Sequence, residues 1–351
     1  MGRKRVIILT EGKSNPHDAK TATGVIRYRA EEVVAVLDST QKGRTAGEVF
    51  GVGGSIPFIG KLGELEADTL LIGIAPAGGG LPPEWRPVLR EAIERRMELV
   101  SGLHYFLGDD PELGPLARAR GASILDVRRP PPDVTVSANL AKDLPCFRVH
   151  TVGNDCNVGK MLTSIEVARG LQARGKRAEF VATGQTGIMI SGWGMPIDRV
   201  VSDFVAGAIE RLMIERRDAE YLLIEGQGSL IHPLFSGVTL GLLHGCAPQA
   251  MILCYEAGRA EVRHANMAMP PLAEVLRIYE TMASVIRPSR VIGIAVNTRA
   301  LSPADADKEV NSAEDRHGLP ATDVIRFGAE KLVAATLAER ERSGDRGRGR
   351  R

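Results

Sequence analysis

The chain has 351 residues, room for about two domains, and its 44% hydrophobic and 25% charged residues describe an ordinary folded protein, not a disordered or fibrous one. Its net charge of +2 is the sum of +4 in the final stretch RERSGDRGRGRR (residues 340–351) and −2 elsewhere, which excludes a nucleic-acid footprint on the folded body. The four cysteines show no CxxC spacing, so neither a zinc site nor a disulfide framework is suggested, and no apolar run approaches membrane-spanning length, so no membrane partner is expected.

The opening MGRKRVIILTEG holds only four consecutive apolar residues, too few for a signal peptide, so free thiols in a reducing cytoplasm are expected. Short apolar runs at 5–9, 33–37, 69–74, 98–100 and 123–125 then alternate with helical patterns at 84–96 and 111–120. Such alternation predicts an α/β domain with a parallel sheet covered by helices on both faces. Two strand ends carry ligand-compatible turns, Asp38-Ser39-Thr40 and the glycine run from Ile74 to Gly80, but there is no GxGxxG fingerprint. Pro130, Pro131 and Pro132 interrupt the alternation, so a first domain over residues 1–127 and a linker over 128–145 are expected.

The second half, residues 146–339, repeats the pattern. Strands are predicted at 147–152, 178–182, 221–224, 250–255 and 291–296, and helices at 159–174, 198–216, 272–286, 303–316 and 329–339. The basic end, 340–351, reads as a disordered tail, with contact to nucleic acid or acidic membranes as the alternative.

Between the first strand and helix of this half lies Gly153-Asn154-Asp155-Cys156-Asn157-Val158-Gly159-Lys160-Met161. A strand, a glycine-rich turn and a helix start together make an anion site, because free backbone N–H groups and the helix dipole both face the ligand. Gly153 and Gly159 let the backbone curl closely, and Lys160 adds a point charge. A plain strand-to-helix turn is the bland alternative. Met161 stands where phosphate loops usually place the Ser or Thr that holds Mg²⁺. A metal would need Asp155, Asp203 or Glu225 instead.

Other polar residues gather at predicted strand ends, where open α/β sheets bind ligands. Glu225, in EGQGS, is a candidate proton acceptor or a capping glutamate. His232 and His244 can act as acids or bases, or simply be satisfied structural histidines. Thr183, Gln185 and Thr186 in TGQTG, with Gln227, can hydrogen-bond a polar substrate. Asp203, placed in the first turns of a helix, either joins the chemistry or complements the helix dipole. Asn297 both donates and accepts, as reading a purine edge requires, or serves a turn. Arg259 and Arg263 are candidates for gripping a carboxylate.

Taken together, GNDCNVGK at 153–160, VATGQTGIMI at 181–190, DFVAGA at 203–208, and EGQGSLIHP with GVTLGLLHG between 225 and 245 resemble one family, as do DSTQKGRTAGEVFGVGG and LLIGIAPAGGGLPPEW in the first half. That family was long described as a domain of unknown function, and members are assigned as D-glutamate N-acetyltransferases using acetyl-CoA. The resemblance spans about residues 5–336 and implies a Rossmann-like N-terminal domain followed by a P-loop NTPase-like α/β domain. The second domain is more distantly similar to dethiobiotin synthetase, an ATP-dependent ligase. Met161 and Ala182-Thr183 depart from that enzyme, where a metal-binding Thr and a Lys-Pro stand.

The first function expected is therefore N-acetylation of an acidic amino acid by acetyl-CoA. Glu225 or His232 would take the amine's proton, and Lys160 would bind CoA phosphate. The alternative is an ATP- and Mg²⁺-dependent kinase or ligase with Asp203 and Glu225 on the metal. A non-catalytic nucleotide sensor is the third reading. A homo-oligomer, with an interface through the first domain, is also expected.

Overall fold

The computed structural model describes residues 4–15, 18–74 and 79–348. The chain divides into two compact units, Met1–Arg129 with Ile188–Gly192, and Pro130–Gly187 with Trp193–Arg351. Both carry a six-stranded, wholly parallel sheet.

In the first unit the strands are β1 (Val6–Leu9), β2 (Val33–Leu37), β3 (Phe58–Ile59), β4 (Thr69–Ile72), β5 (Glu98–Ser101) and β6 (Ile124–Asp126), in the order β3-β2-β1-β4-β5-β6. The helices are α1 (Lys20–Arg29), α2 (Ala46–Phe50), α3 (Arg86–Glu94) and α4 (Leu113–Arg120). Alternation along β1 sends Ile7 and Leu9 toward Trp85, Leu89 and Ile93, and Val6 and Ile8 toward Val25 and Ile26. A sheet buried on both faces reads as unbroken apolar runs, which is why these strands were legible. The short elements were not. β3 spans two residues, and α2 is five residues held by a capping box between Thr45 and Glu48. Of the glycine run, residues 75–78 lie outside the described residues.

The second sheet holds β7 (Phe147–Gly153), β8 (Ala178–Val181), β9 (Tyr221–Ile224), β10 (Ala250–Glu256), β13 (Arg290–Asn297) and β14 (Ala321–Thr322), in the order β14-β13-β10-β7-β9-β8. A small antiparallel pair, β11 (Glu261–Val262) and β12 (Met267–Ala268), stands apart. The helices are α5 (Lys160–Ala173), α6 (Gln185–Ser191), α7 (Val205–Glu215), α8 (Ser236–Cys246), α9 (Leu272–Ser284), α10 (Pro303–His317) and α11 (Glu330–Arg348). Val167 and Leu171 of α5 pack with Leu332 and Val333 of α11 over Val149 and Ile252. Ala208, Ile209 and Leu212 of α7 pack with Leu242 of α8 over Leu222 and Ile224.

Four expectations change. The helix expected at 198–216 begins only at Val205, because residues 197–199 and 202–204 form tight three-residue turns, so Asp203 precedes the helix. The glycine-rich loop expected at 183–187 enters α6 at Gln185, and residues 188–192 belong to the first unit, where Met189 is buried with Val25 and Ile26. The linker is ordered: the buried Glu210 carboxylate of α7 accepts the N–H of Ala138 (2.7 Å), Leu140 and Ala141 (3.2 Å). Residues 340–348 are not a loose tail but continue α11, where Arg340 stacks 4.4 Å from the Tyr221 ring and Arg342 pairs with Glu339. Residues 349–351 lie outside the described residues. Among the described residues, no helix is long and apolar enough to cross a membrane.

Candidate functional site

The loop after β7 buries two charged side chains, Asp155 and Lys160. Gly159 has φ +104°, a conformation L side chains rarely adopt, and it turns the chain into α5. Lys160, 6% exposed, therefore starts the helix inside the protein. Its ammonium donates to the Asp155 carbonyl at 2.6 Å, and burial lowers its pKa. The Lys160 stem runs against Gly226, where a Cβ would stand 2.9 Å from the lysine Cδ and 1.9 Å from the Thr151 carbonyl oxygen, so only glycine fits. Met161, in the first turn, offers no hard oxygen. Thr163 cannot replace it, since its hydroxyl is buried and donates to the Gly159 carbonyl at 3.1 Å.

Asp155 is fully buried and holds the loop's shape. Its carboxylate accepts from Cys156 N (2.6 Å), Arg259 Nη1 (2.8 Å) and Arg263 N (2.9 Å). Arg259, expected as a substrate grip, thus braces the loop, bonding also to the Cys156 carbonyl and to Glu256. His232 is buried with both ring nitrogens engaged: Nε2 donates to the Arg263 carbonyl at 2.8 Å, and Nδ1 accepts from Leu234 N at 3.2 Å. That pattern defines a neutral imidazole protonated on Nε2. Asp155, Cys156 and His232 offer donor atoms within 4.8 Å of one another. As a metal set they fit poorly, because Arg259 already neutralises the carboxylate and the His232 nitrogen carries the proton of the Arg263 bond.

Glu225, directly after β9, is 5% exposed. Its Oε2 accepts from Thr183 N (2.9 Å) and Gly184 N (3.2 Å) at the mouth of α6. Thr183 Oγ1 donates to the Glu225 carbonyl (2.9 Å) and accepts from Gln227 Nε2 (3.2 Å). Gln185 and Thr186 are buried beside them. The structure therefore joins Glu225, Gln227 and Thr183 into one cluster, and its Glu225 lies close enough to Lys160 to favour the lysine's charge. Asp203 is exposed, and among the described residues no hydrogen bond or ion pair joins its carboxylate to the loop. Asn297, half-buried, accepts from Arg299 N (3.2 Å) in a turn, and His244 bonds the Met282 carbonyl (3.1 Å).

Two supports had no motif to announce them. Thr151, buried in β7, donates to the Lys160 carbonyl (3.1 Å) and accepts from Gly226 N (3.2 Å), tying loop, helix and Glu225 turn together. Tyr279 of α9 donates to the Gly153 carbonyl (2.8 Å) and accepts from Leu230 N (3.1 Å); burial pushes its phenol up to about 12. A polar residue within an otherwise buried strand was the available signal for Thr151. Tyr279 comes from a helix 126 positions downstream of Gly153, and no local pattern marks it.

The second unit is thus an α/β domain whose central strand delivers a buried lysine to a phosphate-loop turn, and the first unit is Rossmann-like. Residues 39–130 match the Rossmann-like domain, and residues 135–333 the P-loop domain, of DUF1611, a domain of unknown function. The chain belongs to this family. It is 42% identical over 274 residues to a D-glutamate N-acetyltransferase of Tritonibacter scottomollicae, covering 78% of this chain and 82% of that one. It is 37% identical to a D-glutamate N-acetyltransferase of a Pseudoalteromonas species, covering 77% and 82%. The crystal structure of a DUF1611 family protein from Anabaena variabilis superposes with a TM-score of 0.91 at 38% identity, covering 95% of this chain and 99% of that one.

Proposed function

We propose that this protein is an N-acetyltransferase that moves the acetyl group of acetyl-CoA to the amine of an acidic amino acid, D-glutamate in the first instance. The observation that carries the reading is the loop itself. It presents a buried lysine and a helix start to an anion, yet Met161 supplies no metal-holding hydroxyl and Thr163 is committed to Gly159. The pyrophosphate and 3′-phosphate of CoA are anions such a cradle can hold without turning over a triphosphate. The names carried by relatives at 37% and 42% identity point to the same chemistry.

In this mechanism the substrate ammonium gives a proton to Glu225, whose carboxylate is fixed by the Thr183 and Gly184 amides. The freed lone pair attacks the thioester carbonyl and the C–N bond forms. Backbone N–H groups of the glycine-rich turns stabilise the tetrahedral oxyanion. The C–S bond then breaks, the nitrogen gives up its second proton, and that proton is taken by the departing sulfur, so CoA leaves as the thiol. One amide, one thiol and one proton result from each ammonium and thioester.

The test is release of free thiol by purified protein with acetyl-CoA and D-glutamate, without Mg²⁺ or ATP. Thiol release that requires both substrates is expected, and Glu225→Gln should reduce its turnover about 10²- to 10⁴-fold. No thiol release, together with amino-acid-dependent ADP formation from ATP, would replace this reading with a ligase or kinase.

A further inference from the structure

Beside the phosphate loop, within the second unit, lies a cavity of about 370 Å³, inside the roughly 300–1,000 Å³ range of small-molecule sites. Its polar wall comes from Asn154 just past β7, Glu256 at the end of β10, Arg259 after it, and Glu309 and Arg316 on α10. Asn154 is 4% exposed, and its Oδ1 is buried with no hydrogen-bond partner among the described residues. An unpaired buried acceptor is unfavourable, and an N–H brought by a ligand would satisfy it.

The charges around it are of both signs. Arg259 bonds Asp155, the Cys156 carbonyl and Glu256, and its Nε–H has no partner among the described residues. Arg316 stands at the rim with a side chain 57% exposed, bonded to Glu309 and the Ser312 carbonyl. A guanidinium has five N–H donors, so both arginines keep donors for a further carboxylate. One unmet acceptor and two guanidinia with spare donors match a molecule with one amine and two carboxylates. An adenine ring would use the amide and leave both guanidinia without a ligand partner.

We infer that this cavity is the acceptor pocket, taking a dicarboxylic α-amino acid with its amine on Asn154 Oδ1 and its two carboxylates on Arg259 and Arg316. This rests on the N-acetyltransferase reading above. Asn154 follows β7 and Glu225 follows β9, neighbouring parallel strands, so both stand at the carboxyl edge of one sheet. Arg259 plays two parts here, bracing Asp155 and offering its remaining N–H outward. That explains why a residue already ion-paired with the loop also lines the cavity.

The test is calorimetric titration of D-glutamate, and separately of CoA, into the full-length protein and two variants. Asn154→Ala removes the acceptor. Ala260→Phe fills the cavity from an exposed wall residue, so it serves even if the loop variant folds poorly. The D-glutamate Kd should rise about tenfold or more in both variants, while in Ala260→Phe, outside the phosphate loop, the CoA Kd changes by less than about twofold. Unchanged D-glutamate affinity in both variants, CoA affinity falling in step with it in Ala260→Phe, or no D-glutamate binding to the unmodified protein would each overturn the assignment. Thiol release that needs D-glutamate with an unchanged KM in both variants sinks the pocket alone. Selective loss of D-glutamate binding without any thiol release in the unmodified protein sinks the transferase reading alone.

Discussion

The two sheets are both six-stranded and parallel, though they place their second and third strands in opposite order, and they dispose of their polar groups in opposite ways. At the strand ends of the first unit, carboxylates are consumed by the fold. Asp126 accepts the N–H of Leu107 and of Gly108, both at 2.9 Å, and Asp38 accepts from Ser14 (2.5 Å) and from the backbone and hydroxyl of Thr40. At the strand ends of the second unit, capacity is left over. The Lys160 ammonium rests on a carbonyl of its own loop, and Asn154 Oδ1 has no partner among the described residues. Burying a cation and an unpaired amide costs stability, and a fold retains such groups where a ligand completes them. A parallel sheet with helices on both faces therefore does not by itself locate a site; the side chains gathered at its strand ends do.

Lys160→Met should break this contrast most severely. It keeps much of the buried volume and removes the charge. Loss of a charged hydrogen bond to phosphate is worth about 1.5–3 kcal/mol, so CoA affinity should fall about ten- to a hundredfold. Since burial depresses the lysine's pKa, the unfolded chain binds more protons between the lowered folded value and 10.5. The folded protein therefore gains stability as pH rises through that window, and the methionine variant should lose this part of the gain. Calorimetry with CoA and denaturation at pH 8 and pH 10 measure both effects. Unchanged CoA affinity would remove the loop from the binding site.

Asp126→Ala sharpens the other side of the comparison. It leaves the amides of Leu107 and Gly108 without their acceptor. An unsatisfied buried donor costs about 1–3 kcal/mol. Urea unfolding should register a loss of that size, with CoA and D-glutamate affinities unchanged. A variant of full stability and weakened ligand binding would show that first-unit carboxylates are more than fold supports.

The sequence exposed these two sheets unequally. Runs such as Val33–Leu37 and Tyr221–Ile224 coincide with their strands because residues buried on both faces must be apolar throughout. The turn from Gly153 to Lys160 was legible because its glycines and lysine are local and chemically specific. Asp203 was not, since an acid before a helical pattern looks alike whether it faces a ligand or solvent. His232 carried a chemistry-bearing side chain whose two nitrogens are satisfied by Arg263 and Leu234, and only three-dimensional contacts reveal that. The same holds for Arg259, whose first partners lie in the loop about a hundred residues earlier.

Tyr279 is the finest test of how the second sheet keeps its loop poised. Its hydroxyl is the only part that Tyr279→Phe removes, and it links the Gly153 carbonyl to the Leu230 amide. The ring stays in a fully buried seat against Leu243 and Leu253, so packing is preserved. A neutral hydrogen bond contributes about 0.5–1.5 kcal/mol net. If the phenol holds the phosphate turn in its binding geometry, CoA affinity should drop about fivefold alongside a small fall in melting temperature. A lower melting temperature with unaltered CoA affinity would mean that the hydroxyl supports the fold alone. In that case Asp155 and Thr151 suffice to hold the turn, one through Arg259 and Arg263 and the other through the Lys160 carbonyl and Gly226.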